Sequence, residues 1–500
     1  MRIAIDGIFF QLYKTGIARV WKSLLEEWSS NNFGKHIVVL DRAETAPKVP
    51  GLWYRSVSAY NYSSIDADRE MLQQVCDEES VDLFISTYYT TPVSTPSVFM
   101  AYDMIPEVLG ADLDSPMWRE KHHAIRHASA YIAISENTAR DLVKFFPKIS
   151  SKSLTAALCG VTSLFFPGSL VEVNSFREKY GISKPYFIVV GAGSSYKNTI
   201  LFFQAFAQLY SRQGFDIVCT GSGALLQQEF RTYSSGSTVH MLRLSDEELR
   251  AAYSGSVALV YPSLYEGFGL PVLEAMACGC PVITCPNASI PEVAGEAALY
   301  VNDTDVNQLT NALCEVQKPD VRNILITAGL EQAKKFSWSK MANMVSSVLI
   351  EATLLPLNLK DINLIIFPDW TQAEEPLGVE LEQTIRAMAT HSDRSQMTLL
   401  VEASDISEED ANLLLSSVAM GLLMQEDLDV TEGPEISLVR NLGEMQWQVL
   451  FPRIQARMIL EKENQQVITA VQAEGLSLCE LDSLSTKRVV ELRRGSWDFR

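Results

Sequence analysis

Short, continuous apolar runs alternate with longer segments of helical spacing along almost the whole chain, the pattern of α/β folds with parallel sheets. In the first stretch the strand candidates are Ile3–Asp6, His36–Leu40, Leu83–Ser86, Val98–Tyr102 and Tyr131–Ser135. Between them, Gly16 to Trp28 carries Ile17, Val20, Leu24 and Leu25 at helical spacing, and Asp66 to Glu78 is a second helix candidate. Together they predict a Rossmann-like domain over residues 1–170. A polar stretch, Pro167 to Lys184, leads into a second series with strands predicted at Tyr186–Val190, Asp216–Thr220, Thr238–Met241, Val257–Tyr261 and Val282–Thr284. Helices are predicted at Asn198–Arg212, Ser245–Tyr253, Pro271–Cys278 and Asp305–Val316, and another from Ser337 to about Glu351 closes a domain over 171–353. Two such units in tandem suggest a ligand cleft between their strand carboxyl ends.

The chain has 500 residues, enough for roughly three domains at about 100–200 residues each. Leu354 to Lys360, with Pro356 as a breaker, reads as a linker into a smaller third α/β domain over 354–500. That domain has predicted strands at Ile362–Phe367, Met397–Val401, Ile436–Leu438 and Ala456–Leu460, and a predicted helix at Glu374–Thr390.

The formal net charge of −20 argues against nucleic acid or an anionic membrane as a general partner, since both need a positive surface. About two thirds of the excess acid lies beyond residue 354. An anionic ligand would therefore need a locally positive pocket. No apolar run reaches the roughly 18 residues of a membrane span. Met1 to Gly7 reads as a strand and turn rather than a signal peptide, so a cytoplasmic location is expected, with peripheral contact at the inner membrane face as an alternative. Cys278, Cys280 and Cys285 fit no zinc spacing and read as small buried hydrophobes.

The segment richest in chemistry runs from Pro262 to Gly279, directly after a predicted strand. Gly267 and Gly269 permit a tight loop with exposed N–H groups, and Pro271 suits the start of the following helix. A helix N-terminus fed by such a loop holds anions well. Glu266 and Glu274 bracket the loop and could accept hydrogen bonds from a hydroxyl-rich ligand carrying phosphates. The alternative is a plain turn with two solvated carboxylates.

The segment resembles the Glu-x7-Glu signature of glycosyltransferase family 4, retaining enzymes of the GT-B fold. Other pieces fall in the same order: Gly191 to Asn198, ending in Lys197-Asn198; Ser245 to Leu249; Ser289 to Gly295; Ser135 to Asn137; Cys159 to Val161; and Thr15 to Arg19. The resemblance covers about residues 1–350. It implies two Rossmann-like domains facing a central cleft, an acceptor-side domain over 1–170 and a nucleotide-sugar donor domain over 171–353, with the third α/β domain appended. It gives Glu274 the donor ribose, gives Glu266, Gly267, Phe268, Gly269 and Leu270 the donor sugar, and gives Lys197 the diphosphate. Gly16 and Ile17 bring the N-terminal domain's backbone to the same phosphates. Glu266, Lys197 and Asp103 are the candidate catalytic residues. The implied reaction is hexose transfer from a nucleotide-diphosphate sugar to a glycan or lipid-linked glycan, without metal or cofactor. A Lys, a helix N-terminus and loop amides can stabilise the leaving diphosphate unaided.

Two departures stand out. Ala192 and Tyr196 replace residues that are often polar or basic in the family. Ala101 to Pro106 resembles a His-Asp-Leu-Ile-Pro segment of a mannosyltransferase-like branch, but Tyr102 replaces the His. Asp103 could orient an acceptor hydroxyl, or simply form a turn. A silent sugar-nucleotide-binding scaffold and another GT-B enzyme, such as an epimerase, are the competing readings.

His122, His123 and His127 read as ordinary surface or core residues. Asp112-Leu113-Asp114, Asp303-Thr304-Asp305 and Asp427-Leu428-Asp429 match the metal-binding Asp-x-Asp triplet but lack its strand context. Gly221-Ser222-Gly223 reads as lining of the nucleotide pocket. In 354–500, Glu408 to Asp410 and Glu426 to Asp429 read as a solvated face, and Phe367, Trp370 and Trp447 as core or contact surface. A protein partner or acceptor-placing role is expected of that domain.

Overall fold

The computed structural model describes residues 1–13, 15–221, 226 and 228–484. Contacts divide the chain into two units, Arg2–Val348 and the part from Leu349 onward.

The first unit holds two parallel sheets. One has seven strands: β1 (Ile3–Asp6), β2 (Ile37–Arg42), β3 (Trp53–Val57), β4 (Leu83–Ser86), β5 (Ser97–Ala101), β6 (Ala130–Ala133) and β7 (Leu154–Ala156). Their order is β3-β2-β1-β4-β5-β6-β7. The other has six: β8 (Tyr186–Val190), β9 (Asp216–Thr220), β10 (Val239–Leu242), β11 (Leu259–Tyr261), β12 (Val282–Thr284) and β13 (Leu299–Tyr300), in the order β10-β9-β8-β11-β12-β13. Helices cover both faces, so central strands such as β1, β4 and β9 are buried at every position. The unpredicted strands all lie at sheet edges. β3 and β7 are half-exposed, and β13 has only two residues.

In both sheets the strand order reverses at one place, between β1 and β4 and between β8 and β11. At such a switch point the flanking connections diverge and leave a crevice outside the strand carboxyl ends. The second sheet's core is built on helix Thr199–Gln208, whose Phe202, Phe203 and Phe206 are fully buried. The first sheet carries a buried charge network at its own switch point. Arg42, at the end of β2, donates to both oxygens of Asp6 at 2.7 and 2.8 Å and to both oxygens of Asp68 at 2.6 and 2.9 Å. Thr87 donates to the Asp6 carbonyl and accepts from the Phe9 N–H, which ties the loops after β1 and β4 together.

The second unit has a five-stranded parallel sheet, β14 (Ile362–Ile366), β15 (Met397–Glu402), β16 (Glu435–Val439), β17 (Ala456–Met458) and β18 (Leu478–Cys479), in the order β16-β15-β14-β17-β18. The expected linker is not a loose one. Leu354 and Leu357 are buried in this unit's core around a 3-10 turn at Leu355–Leu357, because a leucine-rich stretch gains more from burial than from solvation. The acidic run at 408–410 is exposed and begins helix Glu408–Glu426, where carboxylates face the positive end of the helix dipole. Phe367 and Trp447 are core residues, stacked at 6.4 Å. Trp370 donates its indole N–H to the Glu402 carbonyl. This sheet's own switch point is occupied by protein. Pro368 bridges Glu463, and the Asn464 N–H donates to the Phe367 carbonyl at 2.9 Å.

Candidate active site

The strands of the second sheet deliver its chemistry to one place. The chain leaving β8 runs through Gly191 to a 3-10 turn, Ser195–Lys197, and the chain leaving β11 runs through Glu266 to Gly269. Both segments therefore flank the β8/β11 switch point. There, Lys197 Nζ donates to Glu266 Oε1 at 2.7 Å and contacts the Tyr261 hydroxyl. The ammonium also lies over the Tyr261 ring at 4.7 Å and the Tyr196 ring at 5.1 Å. Tyr196 thus gives the lysine a π-face. Ser263 Oγ donates to the same Glu266 oxygen at 2.5 Å, and Ser289 Oγ fixes the loop through the Glu266 and Phe268 carbonyls.

The loop's two glycines are required for different reasons. Gly269 has φ +105 and caps helix Leu270–Ala277, a backbone that L side chains avoid. At Gly267 the demand is space: a Cβ would stand 1.8 Å from the Tyr102 carbonyl oxygen and 3.0 Å from Asp103 Cβ. The donor-side loop is thus pressed against the end of β5. Thr138 Oγ1 adds a bond to the Gly267 carbonyl at 3.1 Å.

Glu274, in helix Leu270–Ala277, is only 4% exposed. Burial pushes its carboxyl up to about 7, Asp246 adds to the rise, and Arg19 opposes it. Arg19 comes from the first domain's helix Gly16–Ser29 and forms ion pairs with both Glu274 and Asp246. Gly16 opens that helix, and its Cβ position lies 3.4 Å from Leu270 Cδ1. Two helix starts, at Gly16 and Leu270, therefore meet, with half-buried Ile17 next in line.

Asp103 is half-buried beside Gly267 and accepts the Ile105 N–H at 3.0 Å, and burial raises its carboxyl. Tyr102 points elsewhere. Its hydroxyl donates to the Thr87 carbonyl at 2.9 Å and accepts from the Trp21 indole inside the first domain. Ala192 is buried. His122 pairs with Glu107 at 2.9 Å, while His123 and His127 stack on one helix. The Asp-x-Asp triplets serve turns and caps: Asp112 accepts from the Asp114 N–H, Asp305 from Gln308 and Asp429 from Thr431. Cys278, Cys280 and Cys285 are buried free thiols. Gly221 is described, whereas 222 and 223 lie outside the described residues.

Three contributors hold places that the motifs do not assign to them. Arg19 was visible only as part of Thr15 to Arg19. Tyr261 looked like a strand residue. Glu292, from Ser289 to Gly295, accepts the Glu136 and Asn137 N–H groups at 2.8 and 2.6 Å, capping helix Glu136–Phe145 from the other domain.

Two doubly wound parallel sheets, with a glycine loop and a buried Glu at the mouth of the second, define the GT-B glycosyltransferase class of fold. Residues 184–318, which carry these motifs, match the family model described as "Glycosyl transferases group 1". The O-antigen chain mannosyltransferase B of Escherichia coli is 30% identical over 242 residues, 47% of this chain and 63% of that protein. The O-antigen chain mannosyltransferase RfbU of Salmonella typhimurium is 33% identical over 171 residues, 33% of this chain and 47% of that protein. The chain thus spans less than two thirds of either relative's length. Among solved structures, sucrose-phosphate synthase from Thermosynechococcus elongatus superposes with a TM-score of 0.57 at 17% identity, covering 70% of this chain and 98% of that one. Anabaena Alr3699/HepE, in complex with UDP and glucose, gives 0.56 at 13% identity over 70% of this chain and 100% of that one. The family-model match and the two mannosyltransferase relatives bear out the resemblance to glycosyltransferase family 4 and its mannosyltransferase-like branch, and the solved structures bear out the GT-B fold. Among the described residues no helix is long and apolar enough to cross a membrane.

Proposed function

We propose that the chain transfers a hexose, mannose first among candidates, from a nucleotide-diphosphate sugar to a hydroxyl of a glycan or lipid-linked glycan, with retention at the anomeric carbon and without a metal. The carrying observation is the convergence of Lys197, Glu266 and the N-terminus of helix Leu270–Ala277 at one switch point, with Glu274 buried one turn further on. Mannosyltransferases among the relatives support the choice of sugar, and a UDP-bound structural neighbour supports the kind of donor.

In this reading the pyrophosphate lies against the helix starts at Gly16 and Leu270, with Ile17 beside it, and Lys197 turns from Glu266 to the phosphates. The amides of Gly267, Phe268, Gly269 and Leu270 and the carboxylate of Glu266 hold the sugar, and Glu274 holds the ribose. The bond from C1 to the phosphate oxygen breaks, and the acceptor oxygen bonds C1 on the same face. The acceptor's proton passes to the departing diphosphate, and Asp103 orients the acceptor hydroxyl. Lys197 and the helix N-terminus stabilise charge that grows as the bond breaks, which is where electrostatic catalysis acts.

Incubation with GDP-mannose and oligosaccharide acceptors, with product anomers read by NMR, tests this. An α-linked product from an α-linked donor is expected. An inverted product, or nucleotide-sugar binding with neither hydrolysis nor transfer, contradicts it; the latter is the silent-scaffold outcome.

A further inference from the structure

A diphosphate is an anion that must enter a chain whose formal net charge is −20. At the β8/β11 switch point it meets the Lys197 ammonium, which Glu266 already compensates at 2.7 Å. Tyr196, Tyr261 and Ala192, on the same segments as the loop's polar groups, add no positive charge there. The crevice therefore needs a further cation to hold pyrophosphate, and the first domain carries one to it.

That cation is Arg19. It completes the first turn of helix Gly16–Ser29, where its N–H donates to the Thr15 carbonyl at 3.2 Å. A helical side chain leans toward the N-terminus of its own helix, so this one reaches back to the start at Gly16, which meets Leu270. The Phe165 ring lies 5.4 Å from the guanidinium and steadies it. The two terminal nitrogens hold different carboxylates, Nη1 that of Glu274 and Nη2 that of Asp246. These partners are not equivalent. Asp246 is open to solvent, where an ion pair contributes little, and Glu274 is buried. Once ribose hydroxyls occupy Glu274, Arg19 loses its one buried acceptor, and a part-buried guanidinium without such a partner is costly. Its planar fork suits two phosphate oxygens as well as a carboxylate.

We propose that Arg19 is a diphosphate-binding residue supplied by the first domain: on donor entry it exchanges the Glu274 carboxylate for phosphate oxygens and keeps Asp246 as its other partner. Ribose and phosphate recognition are then coupled through one side chain. The proposal rests on the donor reading of the site. It is tested by calorimetric titration of the full chain with GDP and with UDP, in wild type, Glu274→Gln and the double variant Glu274→Gln, Arg19→Ala, after melting curves confirm folding. An arginine that only holds Glu274 in place loses its effect once that carboxylate is gone, whereas a phosphate ligand keeps it. In the Glu274→Gln background, Arg19→Ala should weaken the bound nucleotide about fivefold or more. Arg19→Gln, which keeps most of the side chain's packing, should do the same and serves where alanine unfolds the chain. Affinity within about twofold of Glu274→Gln alone overturns the proposal and leaves the donor reading standing. If neither nucleotide binds the wild-type chain, the donor reading falls and this proposal with it.

Discussion

Arg19 and Glu274 lie 255 residues apart in the chain and form an ion pair across the cleft between the two sheets of the first unit. The carboxylate that the donor reading gives to a ribose is thus held by an arginine from the opposite domain. Glu274→Ala removes both partners' acceptor. Nucleotide-sugar affinity should fall about 10- to 100-fold, the range for a charge-assisted hydrogen bond of about 1.5–3 kcal/mol, as measured by calorimetry.

The raised carboxyl of Glu274 gives binding a pH dependence. With its proton leaving near 7, the ionised form that accepts ribose hydroxyls dominates above that pH. Affinity for a nucleotide-diphosphate sugar, which has no phosphate ionisation in this range, should rise from pH 6 to pH 8 and lose the slope in Glu274→Gln. Arg19 and Asp246 face the same carboxyl and oppose each other's effect on it. Arg19→Ala leaves the buried charge uncompensated and should move the midpoint upward. Stability runs the opposite way. The folded carboxyl holds its proton more tightly than the unfolded one at 4.5, so its contribution declines as pH rises from about 4.5 to 7.

Gly267→Ala places a methyl group 1.8 Å from the Tyr102 carbonyl oxygen, so the donor loop and the end of β5 must separate. Transfer should fall more than about 100-fold, since small misplacements at a reacting centre have that effect. The thermal midpoint should drop only modestly. Rates within about threefold of wild type would count against this closed arrangement of loop and strand.

Asp6, Arg42 and Asp68 are paired with almost no solvent contact. Asp6→Ala leaves the guanidinium with Asp68 as its one carboxylate partner and should destabilise the first sheet's domain by about 3 kcal/mol. Hydrogen exchange in β1 and β2 should accelerate while β14 and β15 stay protected.

Central strands were legible because burial on both faces leaves an unbroken apolar run, as in Ile3–Asp6 and Tyr186–Val190. Trp53–Val57, Leu154–Ala156 and Leu299–Tyr300 were not, since edge strands are short and half-solvated. Lys197 and Glu266 could be named because each lies in a local motif just past a strand. Their direct contact follows from strand order, which no local pattern encodes. Arg19 on Glu274, and Glu292 on the helix start at Glu136, are contacts between distant segments and had no local signature. Tyr102 stands where the resembled segment has a histidine, and only its hydrogen bonds to Trp21 and Thr87 reveal an interior role.

The most direct test of the donor pocket is calorimetric titration of the full chain with GDP-, UDP- and ADP-sugars, repeated with Lys197→Met and Glu274→Gln. One nucleotide-sugar should bind in the micromolar range, and each substitution should weaken it by about tenfold or more. Binding that neither substitution alters, or no binding of any of the three, would contradict the account.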